Sequence, residues 1–210
     1  LQEKKSKGSL FIVSAPSGAG KTTLCRMLVS SLANLKFSVS YTTRSARPDE
    51  INDRDYTFIS REDFLRMTGA GEFIEWAEVH GELYGTSGKR IGRLLEAGSD
   101  VILDIDTQGA LEIRKKYEKG VYIFILPPSL EALKKRLEKR MTDSREEIGR
   151  RLKRAVTEIK TFRQYDYVII NDVLENALRE FEAIVISHRV STELIDPVWI
   201  EKTFLKQEEN

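Results

Sequence analysis

Four short apolar runs punctuate an otherwise mixed chain: Leu10 to Val13, Val101 to Ile105, Val121 to Leu126 and Tyr167 to Ile170. Each is too short for a buried helix and is flanked by Gly, Pro, Asp or Asn, so each reads as a core strand. Between them the apolar residues recur at helical spacing. Leu24, Leu28 and Leu32 mark one helix after Thr23, and Thr107 to Tyr117 follows the second run. Ser129 is placed to cap a helix over Ser129 to Arg140, just after Pro127-Pro128. Ser144 with Glu147 resembles a capping box for a helix running toward Phe162, and a final helix spans Leu174 to His188. Strands alternating with helices predict an α/β fold whose parallel sheet is covered on both faces. Ligands of such sheets gather at the carboxyl ends of the strands.

Two stretches break this rhythm. From Phe37 to Gly88, segments Lys36 to Thr42 and Asp55 to Ile59 alternate like half-exposed strands, Ser60 to Met67 reads as a short helix, and Glu72 to Tyr84 as further strand. This predicts an α+β insert over 37–88, rich in Tyr, Arg, Ser and Thr. From Lys134 to Arg154 the chain carries ten Lys or Arg against four acids, Glu138, Asp143, Glu146 and Glu147. That local excess is hidden in a formal net charge of +1, which gives no overall pull toward nucleic acid or a membrane surface. The longest apolar run is far too short to span a bilayer, and the polar start Leu1 to Lys7 lacks a signal-type hydrophobic segment, so a cytoplasmic location is expected. The single cysteine, Cys25, sits on an apolar helix and is read as a packed thiol.

The chemistry concentrates first in Ala15-Pro16-Ser17-Gly18-Ala19-Gly20-Lys21-Thr22-Thr23, a glycine-rich turn between a strand and a helix. Such a turn aims unpaired backbone N–H groups, at the positive end of the helix dipole, toward an anion. Lys21 adds a full charge that reaches terminal phosphates, and the Thr22 hydroxyl suits a magnesium ion. The strict phosphate-loop pattern has glycine where Ala15 stands, and a methyl group is tolerated there when the strand ends with negative φ.

Together with that loop, the segments Ser40-Tyr41-Thr42-Thr43-Arg44-Ser45-Ala46-Arg47, Asp55-Tyr56, Glu72-Phe73-Ile74-Glu75-Trp76, Tyr84-Gly85-Thr86, Leu103-Asp104-Ile105-Asp106 and Ile170-Asn171-Asp172 resemble guanylate kinases, over nearly the whole chain. The resemblance implies a P-loop nucleoside monophosphate kinase fold. It has a core of 1–36, 89–133 and 155–210, a GMP-binding insert of 37–88 and a helical lid of 134–154. It implies direct transfer of a phosphoryl group from ATP to GMP, and dGMP as a further acceptor, with Mg2+ accompanying ATP.

On that resemblance, residues 15 to 23 hold ATP and Asn171 stands on its adenine side. Arg44 and Arg47, with the Tyr56 and Tyr84 hydroxyls, form the GMP phosphate clamp. Glu75 can accept both N1–H and the exocyclic amine of guanine, with Ser40 and Thr86 serving the remaining polar atoms. Of the two acids at the end of the buried strand, the resemblance implies that one contacts GMP and the other steers the metal's hydration shell. The sequence does not decide which; Asp104 is placed first with GMP and Asp106 with the metal's water, and Asp106 is also placed to cap the helix at Thr107. Arg136, Arg140 and Arg151 match the family's lid arginines, and with Lys21 and Arg44 they are the candidate catalytic cations. Met141 stands where the family often has glycine. His80 and His188 lack partners for metal or nucleophilic chemistry and are read as structural, and Trp76 and Trp199 as packing residues. The expected partners are ATP and GMP alone, in a monomer or homodimer. The competing reading is a scaffold module like the guanylate-kinase-like domains of membrane-associated adaptors, and a second is a kinase acting on another monophosphate.

Overall fold

The protein is described from a computed structural model, over residues 7–79, 81–139 and 144–205. Five strands form one parallel sheet: β1 (Leu10–Ser14), β2 (Leu35–Phe37), β7 (Asp100–Asp104), β8 (Val121–Leu126) and β9 (Tyr167–Ile170), in the order β2-β7-β1-β8-β9. Because side chains alternate along a strand, each central strand feeds two cores. Phe11, Val13, Ile102, Ile123 and Ile125 face the helices α1 (Lys21–Ser31) and α7 (Leu174–Arg189), where Leu24, Leu28, Phe181 and Val185 meet them. Leu10, Ile12, Val101, Leu103, Tyr122 and Phe124 face the other way, toward Ile91 of α3 (Gly88–Glu96) and Ile113 of α4 (Thr107–Lys116). This two-sided burial is why these strands are nearly continuous apolar runs.

Strands β8 and β9 have the predicted limits, and the Ser129 and Ser144 caps are present. Ser129 Oγ accepts from Ala132 N at the start of α5 (Leu130–Glu138), and Ser144 Oγ from Glu147 N at the start of α6 (Arg145–Ile159). The Glu147 carboxylate pairs with Arg150 at 2.5 Å.

The insert departs from expectation in two places. Lys36 to Thr42 is not one strand. Its first part is β2, paired to β7 in the core sheet, and its last part is β3 (Tyr41–Thr42), paired to β6 (Glu82–Ser87) in a second sheet. Ser38 to Ser40 is thus the crossing between the two sheets, and Ser38 N donates to Ile102 O on the way. Glu72 to Tyr84 is likewise a turn of two antiparallel strands, β5 (Phe73–Val79) and β6. With β4 (Thr57–Phe58) they complete a four-stranded sheet, β4-β3-β6-β5. Helix α2 (Arg61–Gly69), capped by Ser60, closes this sheet by stacking Phe64 on Phe73 at 4.5 Å between ring centroids.

Helix α3 was not anticipated. Beyond α7 the chain ends its described part in a short helix α8 (Pro197–Ile200) and a wide turn to Leu205, with Trp199 packed edge-on against Phe204 and both rings largely exposed. Trp76 is also half exposed, so neither tryptophan belongs to a core. Among the described residues no helix is long and apolar enough to cross a membrane.

Candidate functional site

The turn between β1 and α1 is built for an anion. Gly18 and Gly20 have φ of 94° and 95°, a region costly for residues with a Cβ. At Gly20 a Cβ would also lie 2.3 Å from Asn171 Nδ2. Ala15 is not among the positive-φ residues, so its methyl group is accommodated as the strand ends. No side chain caps the N-terminus of α1 and no acid lies in its first turn, which leaves its N–H groups and dipole open to the cleft.

The loop is braced from behind. Ala19 O accepts from Asn171 Nδ2 at 2.7 Å and from Arg136 Nη1 at 3.3 Å, while Arg136 Nη2 donates to Asn171 O at 2.7 Å. Asn171 is buried, and its amide holds this carbonyl of the phosphate loop. Arg136 likewise holds backbone carbonyls here and does not point into the cleft. Arg151 reaches the loop from α6, with Nη2 2.7 Å from Ser17 Oγ. Arg140, Met141 and His80 lie outside the described residues.

Asp104, at the carboxyl end of β7, gathers the loop's cation and hydroxyl. Lys21 Nζ is 2.5 Å from Asp104 Oδ1 and donates to Ile105 O at 2.7 Å, while Thr22 Oγ1 donates to Asp104 Oδ2 at 2.6 Å. Asp106 has a different task, because the chain has left the strand. Its Oδ1 accepts from Gly109 N at 2.8 Å and caps α4, and Arg154 Nη2 stands 4.0 Å from its Oδ2. The loop, Asp104, Asp106 and the α6 face of Glu147, Arg150, Arg151, Arg154 and Glu158 enclose a cleft of about 780 Å³. That volume lies in the usual range for small-molecule sites.

Two further cavities share its walls. One, of about 450 Å³, has Thr22 and Asp104 on its near side and Ser40, Tyr56, Arg26, Arg54 and Asp55 on its far side. Asp55 ties the insert to α1 by accepting from Arg26 at 2.7 Å. The N–H of Ile51, and then Arg54 and Arg26, hold its carboxyl below the usual carboxylate range. The other, of about 540 Å³, runs from Asp106 and Gly109 to Glu75, Trp76 and Lys116.

Glu75 accepts from Thr86 Oγ1 at 2.5 Å. Burial is the main force pushing its carboxyl up and the negative charge of Asp106 adds to it, against the Thr86 hydrogen bond and Lys116. Gly109 gives this carboxylate room, since a Cβ there would lie 3.2 Å from Glu75 Oε2 and 2.5 Å from Ile105 Cδ1.

Arg44 is anchored by its own segment of the insert. Its Nη2 donates to both oxygens of Glu50, at 2.8 and 2.9 Å, and its Nη1 to Ser45 O at 2.7 Å. Its guanidinium lies 5.6 Å from the Tyr56 ring centroid and 5.8 Å from that of Phe58. The pair perturbs both partners. Arg44 is raised chiefly by the hydrogen bond to Glu50, and Glu50 is lowered first by Arg44 and then by the N–H of Arg47. Tyr84 stands edge-on to Tyr56 with 6.0 Å between centroids, and burial, then Asp104, raises the Tyr56 hydroxyl. Arg47 is exposed beside Glu50.

Sequence reasoning missed Glu50, Arg150, Arg154 and Glu158. The last three repeat at helical spacing with Glu147 on one face of α6, a signal masked by the many other charges in the segment. His188 is structural, with Nε2 3.1 Å from Ser9 Oγ and its ring edge-on to Phe11. Cys25 is buried, and burial raises its thiol well above the ordinary range. Among the described residues no cluster of three or more His, Cys, Asp or Glu could hold a metal alone. The oxygens of Thr22 and Asp104 meet beside the phosphate loop, which fits magnesium, an ion that takes one or two protein oxygens together with phosphates.

A family model described as guanylate kinase matches residues 7–188. The guanylate kinase of Geobacter sulfurreducens is 51% identical over 188 residues, covering 90% of this chain and 93% of that protein. The guanylate kinase of Caldanaerobacter subterraneus is 45% identical over 185 residues, covering 88% and 90%. Among solved structures, the crystal structure of guanylate kinase from Anaplasma phagocytophilum superposes with a TM-score of 0.79 at 35% identity, covering 98% of this chain and 99% of that one.

Proposed function

As a member of the guanylate kinase family, to which the chain belongs, this protein is a nucleoside monophosphate kinase, and we propose the following division of labour for transfer of the ATP γ-phosphoryl group to GMP. The observation that carries it is the shared wall. Asp104 borders both the phosphate-loop cleft and the Ser40–Tyr56 cavity, and Asp106 borders both that cleft and the Glu75 cavity. Two nucleotides seated on either side of this turn meet phosphate to phosphate.

The loop N–H groups and Lys21 take the ATP phosphates, and Arg151 adds charge from the lid. Arg136 acts through the loop it braces, and Arg140 is kept as a further lid cation on the family resemblance. Arg44, Arg47, Tyr56 and Tyr84 hold the GMP phosphate. Glu75 accepts from guanine N1–H and the exocyclic amine, with Thr86 bonded beside it and Ser40 serving a remaining polar atom of the base. Adenine lacks that donor pair and would leave a buried carboxylate unpaired, a mismatch that costs about 10⁴-fold or more in comparable sites. With GMP, dGMP is the further acceptor in this reading.

The roles first assigned to the two acids are exchanged here. The Thr22 hydrogen bond to Asp104 supports Asp104 as the magnesium-side acid, and the cavity that Asp106 lines together with Glu75 supports Asp106 as the purine-side one. Thr22 and Asp104 would hold Mg2+ with the ATP phosphates, where the ion neutralises charge on the β- and γ-oxygens. Lys21 leaves Asp104 for the phosphates as nucleotide enters. The transfer is a direct in-line displacement with no covalent enzyme intermediate, so catalysis lies in positioning and in cations aimed at the equatorial oxygens.

A coupled assay of ADP release from Mg-ATP tests this. GMP and dGMP should stimulate release, while AMP, UMP and TMP should not. Binding of GMP or a phosphopeptide without ADP release would instead mark a scaffold module, and equal use of another monophosphate would remove the role given to Glu75.

A further inference from the structure

Helix α6 carries one polar stripe, Glu147, Arg150, Arg151, Arg154 and Glu158, along the cleft. At 1.5 Å of rise per residue, Arg154 lies about 4.5 Å further along the axis than Arg151. The stripe therefore meets different partners at its two ends. Arg151 meets the phosphate loop at Ser17, whereas Arg154 meets the Asp106 turn.

Arg154 is also tethered. Its Nε donates to Glu158 Oε1 at 2.9 Å, and the Glu158 side chain is only 11% exposed. Glu158 Oε2 is buried without a hydrogen-bond partner, and the charge of Glu158 bears on Tyr165. With Nε anchored, the free edge of the guanidinium, Nη2, is the part that faces Asp106. Asp106 in turn has one oxygen committed to the α4 cap and leaves Oδ2 for a partner. On its other side Asp106 borders the Glu75 cavity.

Resting on the division of labour above, we propose that Arg154 is a positioning residue that joins the lid to the purine pocket. As α6 closes, its guanidinium seats on Asp106 Oδ2, so closure of the lid and occupancy of the GMP site favour each other. Arg151 closes the same helix over ATP, and Arg154 makes the helix report on the acceptor. Two carboxylates, Glu75 and Asp106, border one cavity, and Lys116 is the cation that faces Glu75 there. A second cation arriving at Asp106 from the lid balances that charge as the purine seats.

The test is a double-mutant cycle on the full chain with Arg154→Gln and Asp106→Asn, read as KM for GMP, KM for ATP and kcat. Arg154→Gln should raise KM for GMP about two- to fivefold, the upper part of the usual range for an exposed ion pair, with KM for ATP changed less than about 1.5-fold. In the Asp106→Asn background the same change should add nothing further. Arg154→Lys should recover part of the loss, and thermal unfolding of each variant separates weak folding from weak coupling. Hydrogen exchange over 145–159 gives a readout independent of turnover: GMP alone should protect this segment in the parent and not in Arg154→Gln. Additive effects in the cycle, an equal or larger effect on KM for ATP, or unaltered GMP kinetics would each overturn the proposal. Failure of the parent chain to release ADP with GMP would instead overturn the functional reading, whatever the exchange data show.

Discussion

Replacing Glu75 with Gln removes one charge and changes almost no volume. In the structure this carboxylate is largely desolvated, accepts from Thr86, and shares a cavity with Asp106. A carboxylate accepts from both guanine donors, while an amide accepts from one and turns its own NH₂ toward the other. The loss is one charge-assisted hydrogen bond, about 1.5–3 kcal/mol, and one unpaired donor, about 1–3 kcal/mol. A combined loss of roughly 3 kcal/mol lowers kcat/KM for GMP by about a hundredfold or more, with KM for ATP unchanged.

The fold should not suffer, because burying Glu75 is itself costly. Its folded carboxyl titrates above the ordinary 4.5, so the native state holds a proton where the unfolded chain has released it. The stabilising contribution is complete below the unfolded value and is lost as pH rises through the folded value. Near neutral pH the variant should therefore unfold at the same temperature as the parent or higher. GMP recognition has the opposite sign. It needs the ionised carboxylate, so the parent's KM for GMP should worsen as pH falls through the raised folded value, a limb that Glu75→Gln lacks. Steady-state kinetics with GMP and ATP varied separately, together with thermal melts, supply the data. A variant that keeps kcat/KM for GMP within threefold would refute the base-edge role.

Lys21→Ala should lower kcat by about 10²–10³-fold, the usual loss for one donor aimed at transition-state charge, while GMP affinity by calorimetry moves less than about threefold. Equal activity in that variant would remove the loop assignment. Gly20→Ala forces a Cβ into φ of 95° and against Asn171 Nδ2, so it should cost about 1–3 kcal/mol from backbone strain alone in urea unfolding and raise KM for ATP. Adding Asn171→Ala should relieve the clash and leave the strain; full recovery would show that φ carries no penalty. Glu50→Gln leaves Arg44 one neutral acceptor and should raise KM for GMP about fivefold, the order of one ordinary hydrogen bond at about 1 kcal/mol, with kcat little changed. A lower KM would mean that Glu50 competes with phosphate.

Much of the core was legible because buried parallel strands leave an unmistakable trace. Val121 to Leu126 is buried almost throughout and kept its predicted limits, as did the edge strand Tyr167 to Ile170, where only Ile169 is buried, and Ser129 and Ser144 cap their helices. The crossing at Ser38 to Ser40 was not legible, since alternation continues from β2 into β3 while the chain passes from one sheet to another. Helix α3 escaped because only Ile91 is fully buried in a polar segment. A cap by Asp106 for the helix at Thr107 was legible from sequence and is present, but which of Asp104 and Asp106 sits by the phosphate loop was not, because that depends on where β7 ends. Asn171 and Arg136 matched motif positions, yet sequence does not show that their polar atoms meet one carbonyl from behind.

That carbonyl belongs to Ala19, and its two tethers come from residues 117 and 152 positions further along the chain. The shape of the nucleotide cradle is therefore fixed by the tertiary fold and exists before any nucleotide arrives. The conformational entropy of that turn is surrendered once, when the chain folds, and none of it is charged to each catalytic cycle.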